Sequence, residues 1–565
     1  MRLLKKYNHL RLSHITIFLL LLFAVALINA CDDRNPKNIQ DKKPGIASDG
    51  PADTSKPKLQ MLGDATLGKE VFRFETFGNE GFWNKAMRWQ QGVVQSNATP
   101  KQFLEIGLQI DMEAEALDPE LRKKLEAEFK TDLSPRQAPL LNDIKTTIAL
   151  LNANAIIGVV PKDSNGDQHI DIMKGDMVGV SCAICHTITD KSAFDMPAGG
   201  SAGKRIDGPA PLTFNMGRFL ALANNSRAYY PNMQQIFLGV SIGRAPRGMR
   251  PTSTEQEVDE YLSNPKFYPV GTFDETSDGN GNSVKNVPLF RQDLAAPYGT
   301  SGEFELFHNI SNSSYTTNLD LTTLATPEGL EFLKGLGGPA GEQIHKEYKQ
   351  ILKETGVTGY PFVQAKMQGK PGELNNVVGR RVDEKKVQDM AAYTFALQAP
   401  PAPRVDEGMA MRGSQLFRTN CTTCHHVDQS KPVPATLVDL KTLWPGYTPV
   451  VVGLRGNKKL SKILNSPGDF DDKMVIVDAS AHDRPRGNAL PLLLDLARTT
   501  LFLHDASVKS LDELLDPKRG KNSPHPFYLS DKTQRADMVE FLRGMGTHSD
   551  KPGADKKMVK KKRDL

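Results

Sequence analysis

The chain has 565 residues, of which 39% are hydrophobic and 24% charged, and a formal net charge of +5. That length allows two or more domains with a sizeable core. Much of the basic excess sits at the two ends, so it builds no cationic face for a nucleic acid, which is excluded as a partner.

Residues 1–30 read as a secretory signal: Arg2, Lys5, Lys6 and Arg11 precede an uncharged apolar run from Ile15 to Ile28, followed by Asn29-Ala30-Cys31. At about 1.5 Å per residue the run is too short for a bilayer core of roughly 30 Å. The segment Leu27-Ile28-Asn29-Ala30-Cys31 resembles a bacterial lipoprotein processing box. That resemblance implies an acylated Cys31 that holds the chain on a membrane surface without a transmembrane helix. An ordinary cleaved signal releasing a soluble protein is the alternative. Residues 31–62, rich in Asp, Lys, Pro and Ser, read as the lipidated tether.

A folded region, residues 63–398, begins near Leu67. Thr99-Pro100 with Gln102, Ser134-Pro135 with Gln137, and Thr326-Pro327 each place a capping residue before a proline, which predicts three helix starts. The loop Asp163-Ser164-Asn165-Gly166-Asp167-Gln168-His169-Ile170-Asp171 resembles an EF-hand, with Lys174 where a bidentate glutamate belongs, and Asp278-Gly279-Asn280-Gly281-Asn282 is a shorter acidic loop. Both are candidates for calcium.

Four of the five cysteines fall in two C-x-x-C-H motifs, Cys182-Ala183-Ile184-Cys185-His186 and Cys421-Thr422-Thr423-Cys424-His425. This spacing is the attachment signature of c-type haem. Two thiols three positions apart add to the porphyrin vinyl groups, and the next residue's imidazole becomes the proximal iron ligand. A zinc site would bring its cysteine pairs within roughly 15–20 residues of each other, and a thioredoxin-like pair needs a strand-to-helix turn of a βαβ unit. Neither fits, so two covalently bound haem c groups are expected, one per motif.

Between the motifs, Pro297 to His308 offers glycines, two carboxylates and an imidazole. Glu303, Glu305 and His308 are candidate catalytic acids, able to deliver a proton during cleavage of an O–O bond; a loop with a solvated acidic edge is the alternative. Met177, Met196 and Met216 are candidate axial donors, although methionine more often fills a core. Val387, Met390, Ala391, Thr394 and Leu397 recur at helical spacing over residues 383–397. Strand-like alternation is scarce. The expected fold class is mainly α: two cytochrome c-like haem domains with long loops.

Ala399-Pro400-Pro401-Ala402-Pro403 makes a stiff connector to a second domain, residues 405–547. Gly413, Leu416 and Phe417 lead into Cys421, and a last helix is predicted from Ser530 to Met545, capped by Ser530, with Met538, Phe541 and Leu542 on one face. These two helices are expected to cross at the haem edge. His525, between Pro524 and Pro526, is the preferred distal ligand of the second iron, with Met545, Met474 and His504 as competitors. Residues 548–565 read as a basic disordered tail.

Two such motifs in separate domains, with Leu501-Phe502-Leu503-His504-Asp505-Ala506-Ser507-Val508 ahead of Leu511–Leu515 and a closing Ala536–Arg543 helix, resemble the bacterial di-haem cytochrome c peroxidase superfamily. In the first half, Phe72–Glu80, Val178–Ser181 and Arg205–Pro209 look like blocks of its uncharacterised di-haem members. The resemblance implies electrons passing from a small periplasmic donor protein through the second haem to the first, where hydrogen peroxide is reduced. It also implies calcium between the haems. The chain departs from the pattern in having no tryptophan between His186 and Cys421, in Ala506 for the usual glycine, and in Lys518 where relatives place a methionine ligand. A non-enzymatic electron carrier, and an oxygenase or oxidase acting on an organic or protein substrate, are the rival readings.

Overall fold

Among the described residues helices dominate, and the longest strands, Val159–Lys162 and Met177–Val180, have only 4 residues each. The computed structural model describes residues 63–546 except 234–235, 238–239, 242–248, 266–267, 275–282, 300–301, 303, 338, 435–437, 444, 446–486 and 504–505. Cys31, Glu303, Trp444, Met474, His504, the Asp278–Asn282 loop, the signal and the basic tail all lie outside the described residues. Within the described residues no helix is long and apolar enough to cross a membrane.

The first described element is a helix, Ala65–Phe74, whose cap Asp64 accepts from the amides of Thr66 and Leu67. It lies along the Glu384–Ala396 helix, with Phe72, Val387, Met390 and Ala391 buried between them. Their approach is close: a Cβ at Gly68 would sit 1.8 Å from the Asp389 carbonyl oxygen, so only glycine fits there. Thr99 and Gln102 form the expected capping box ahead of Pro100–Ile106, and Thr326 Oγ1 accepts from Gly329 N (3.1 Å) at the start of Pro327–Gly337.

Ser134-Pro135 starts no helix. The chain makes one turn there, Ala138 N to Ser134 O at 2.8 Å, and then enters a short 3-10 turn at Leu140–Asn142. Pro139 is the reason, since a proline one turn in removes the amide a helix needs there. The Glu128 carboxylate instead takes the amides of Leu140 and Leu141.

Three apolar clusters organise the molecule. The largest gathers Trp89, Phe103, Phe219 and Tyr348; a second gathers Phe72, Tyr298, Phe307, Tyr315 and Met390; a third, near the C-terminus, gathers Phe417, Met538, Phe541 and Leu542. In the third, the Glu407–Asn420 and Lys532–Arg543 helices pack against each other. The cap of the last helix is Asp531 rather than Ser530: its carboxylate accepts from Gln534 N at 2.8 Å, and a carboxylate at a helix N-terminus gains from the macrodipole as well.

Candidate functional site

The first C-x-x-C-H motif sits on the seam between the first two clusters. Cys182 and Ala183 pack into the one that holds Phe72, and Ile184 and Cys185 into the one that holds Trp89. The chain arrives on the Met177–Val180 strand, paired antiparallel with Val159–Lys162, and makes a single helical turn at Ala183–His186. Gly158, at φ +80°, lies under that turn, where a Cβ would be 2.2 Å from Ile184 N. The chain leaves as Thr187–Thr189, antiparallel to Arg205–Asp207.

The three sequence blocks singled out in this half converge here. The Asn79 side-chain amide exchanges two hydrogen bonds with Val180 (2.7 and 2.9 Å). Ser181 Oγ donates to Arg73 O (2.7 Å), Arg73 Nε to Asp207 Oδ2 (2.6 Å), and Gly208 N to His186 O (2.8 Å).

His186 Nδ1 lies 2.8 Å from the Val287 carbonyl oxygen. A carbonyl only accepts, so Nδ1 carries the proton and the Nε2 lone pair is left for a ligand. Burial brings the imidazole pKa down to about 4, against the opposing pull of that carbonyl, so the ring is neutral at pH 7. Burial also pushes the Cys182 thiol to about 11 and the Cys185 thiol to about 12. Cys182 Sγ is 3.3 Å from Tyr315 Oη and 3.6 Å from Met390 Sδ.

The second motif continues the Glu407–Asn420 helix: Cys421 N bonds to Phe417 O (2.8 Å) and His425 N to Cys421 O (3.0 Å). A small, partly open cleft lies beside it, lined among others by Cys424, His425, His426, Gln429, Val433 and Leu490. Burial lifts the Cys421 thiol to about 12 and lowers His425 to about 3, with the nearby charges of His525 and His426 adding to the drop. His525 is itself brought down to about 4, by burial first and then by Arg519. Its Nδ1 is buried and meets no hydrogen-bond partner among the described residues.

The sequence-predicted residues are thus partly brought together. His525 comes near His425. Tyr298 and Phe307 of the 297–308 segment join the cluster around Cys182. His308, however, is buried with Nε2 3.5 Å from Glu384 Oε1, and burial lowers its pKa, partly offset by that carboxylate. Glu384 is six residues before Met390, the neighbour of Cys182, so the backbones of those two residues stand roughly 9 Å apart along the helix axis. Glu305 is half-buried. Met216 fills the core, Met177 and Met196 are half-buried, and Met545 belongs to the third cluster.

Of the other contributors, Tyr315, which touches Cys182, and the Val287 carbonyl carry no sequence signal, and Met390 showed only as an apolar position of its helix. Spacing could have found a fourth. In the acidic loop Asp163, Asp167 and Asp176 bring carboxylate oxygens within 4.8 Å of one another, Asp176 being two positions beyond Lys174. Lys174 turns away to Asp171 (3.1 Å).

The donor set can be compared with what covalent haem requires. The thiols are free, paired on one turn and protonated; each neighbouring imidazole is neutral; and His525 Nδ1 is buried without a hydrogen-bond partner among the described residues. On each count the residues fit.

No family model matches the chain, and no curated protein matches it. A solved structure of hydrazine synthase from Kuenenia stuttgartiensis, pressurised with xenon, aligns at 10% identity and a TM-score of 0.21, covering 56% of this chain and 86% of its own. A likeness of that size carries no argument.

Proposed function

We propose that the protein is a di-haem c-type cytochrome, similar to the bacterial di-haem peroxidases, that reduces hydrogen peroxide on the periplasmic face of a membrane, held there through an acylated Cys31. The observation that carries this reading is the shared chemistry of the two motifs, each with two protonated thiols on one turn followed by a neutral imidazole. Cys182, Cys185 and His186 would hold the first haem, and Cys421, Cys424 and His425 the second, with His525 as a further ligand to the second iron. Bound there, the haems supply reversible one-electron chemistry and an iron on which peroxide is reduced.

The protein's own residues do the rest. The Val287 carbonyl fixes the tautomer of His186 and makes it a stronger donor to a metal. A small periplasmic donor protein delivers electrons to the second site. Reduction of peroxide consumes two electrons and two protons and yields two waters, and Glu303, Glu305 or His308 supplies the protons. Glu384, with Oε1 3.5 Å from His308 Nε2, would be the group that reloads it. Calcium, if bound, would be held by Asp163, Asp167 and Asp176, whose carboxylate oxygens lie within 4.8 Å of one another.

Mass spectrometry of the protein exported by a cytochrome c-maturing host tests the cofactor assignment. Two covalent haems are expected, and Cys182→Ala with Cys185→Ala should leave one. An apo mass sinks the reading. Ferric and half-reduced spectra with peroxide and cyanide test the chemistry: a first haem that stays low-spin and unresponsive makes the protein an electron carrier. His525 beside His425 favours that carrier role for the second site alone.

A further inference from the structure

Tyr393 lies one helical turn beyond Met390, the residue whose sulfur is 3.6 Å from Cys182 Sγ. Its hydroxyl donates to Asp207 Oδ2 at 2.6 Å. The same oxygen accepts from Arg73 Nε at 2.6 Å, and Oδ1 accepts from Thr187 Oγ1 at 3.1 Å. Thr187 follows His186 directly and pairs in register with Asp207. The phenol is thus clamped to a carboxylate that is built into the backbone frame of the first motif.

A phenol gives up an electron readily at neutral pH only when its proton leaves at the same time, and for that it needs a base already in contact. The neighbouring tyrosines lack one. Tyr315 is nearer the motif, 3.3 Å from Cys182 Sγ, yet its hydroxyl donates to the Glu75 carbonyl (3.1 Å), and Tyr298 donates to the Gln292 carbonyl (2.6 Å). A peptide carbonyl cannot keep a proton. Tyr393 alone of the three faces a carboxylate, and its own pKa is raised by burial and by Asp207, so it stays a phenol until oxidised.

We propose that Tyr393 is a redox-active tyrosine that returns one electron to the first haem site after peroxide has oxidised it, with Asp207 taking the phenolic proton. The inference rests on the di-haem reading above. Peroxide is the oxidant and withdraws two electrons; one of the two vacancies ends on Tyr393 as a neutral phenoxyl radical. The Tyr393 O–H bond breaks and an O–H bond forms on Asp207 Oδ2. Arg73 stays ion-paired to that oxygen, and the proton returns to the phenoxyl oxygen when an electron arrives from the second site. The device holds an oxidising equivalent away from the iron while the donor protein delivers its electrons one at a time.

The test is freeze-quench EPR of the di-haem protein mixed with hydrogen peroxide. An organic radical is expected, with hyperfine structure narrowed by ring-deuterated tyrosine. It should be absent from Tyr393→Phe and retained in Tyr315→Phe. Asp207→Asn should slow its appearance by roughly a hundredfold, the lower end for a positioned base. Tyr393→Phe keeps the ring that packs on Phe72, 5.6 Å between centroids, so it should fold even if Asp207→Asn does not. A radical undiminished in Tyr393→Phe, or a haem that responds to peroxide without any tyrosyl signal, overturns the proposal. If the haem itself does not respond, the peroxidase reading fails separately, and photogenerated ruthenium(III) tris-bipyridine replaces peroxide. A radical lost in Tyr393→Phe then still supports the assignment, and its absence from the wild type overturns it.

Discussion

His525 adopts φ 55°, in the left-handed region, with its ring 5.0 Å from Phe527 and its amide bonded to Leu443 O at 2.6 Å. His525 already bears the left-handed strain of about 1 kcal/mol that alanine there would keep, whereas glycine removes the imidazole and relieves that strain. His525→Gly should therefore convert the ferric second haem from low-spin to high-spin or water-bound while thermal stability changes little. If the variant stays low-spin and Met545→Ala does not, methionine is the ligand. The three histidines also set a pH dependence in haem-free protein. His186, His425 and His525 fold with pKa values of about 4, 3 and 4, below the ordinary 6.5, so unfolding takes up protons between those limits. Their contribution is complete above pH 6.5 and is lost as pH falls toward 4, by up to about 1.4 kcal/mol per pH unit for each, less where the ring edges meet solvent. Urea midpoints of cytoplasmically expressed apo protein should drop between pH 7 and 5. A flat profile would mean that the rings are hydrated. The thiols and imidazoles of the motifs were legible in the sequence because their spacing is covalent chemistry. Tyr315, Val287 and Tyr393 were not, because contacts across more than a hundred residues leave no local pattern.

At the scale of elements, the packing of Glu407–Asn420 against Lys532–Arg543 is set by Gly413, where a Cβ would lie 2.1 Å from Asp537 O and 2.7 Å from Phe541 Cβ. Arg412 then closes the contact with two bonds to Asp537, 2.8 and 2.7 Å. Gly413→Ala should force the helices apart and cost about 1–3 kcal/mol, the usual range for an overpacked contact. Guanidinium unfolding would show it as a lower midpoint, while the exposed neighbour Gly408→Ala should leave the midpoint unchanged or raised. Apolar periodicity revealed the helix at 383–397, and Gly413 with Phe417 marked the entry to the second motif. Capping signals were weaker guides. Thr99 and Thr326 succeed because an amphipathic run follows each, and Ser134 fails because Pro139 interrupts the first turn. The choice between Ser530 and Asp531 turned on one residue of register, which composition does not resolve.

On the scale of the whole molecule, residues on either side of the 399–403 connector do not stand apart. Val433 N bonds to Leu294 O (2.8 Å), Lys285 Nζ to Leu501 O (3.2 Å), and Arg498 Nη2 to Pro401 O (2.9 Å). The described residues belong to one compact unit. Proline-rich composition identified the connector, but no sequence pattern reports the hydrogen bonds that bridge it. A protease site inserted after Pro403 and cut should leave two fragments that co-elute in size-exclusion chromatography and keep one unfolding transition. Separate elution would mean that the connector alone joins them. Lys285, buried against Leu501 with its pKa down to about 8, is the sensitive point of that contact, and Lys285→Met should be tolerated better than Lys285→Glu.

The bond from His186 Nδ1 to the Val287 carbonyl also makes that peptide group a vibrational gauge. Whatever draws electron density from the imidazole, such as an oxidised metal on Nε2, makes the Nδ1 proton more acidic, strengthens the hydrogen bond and softens the C=O stretch. A single carbon-13 label at Val287 would therefore turn one backbone carbonyl into an infrared readout of charge at the first site, independent of any visible chromophore.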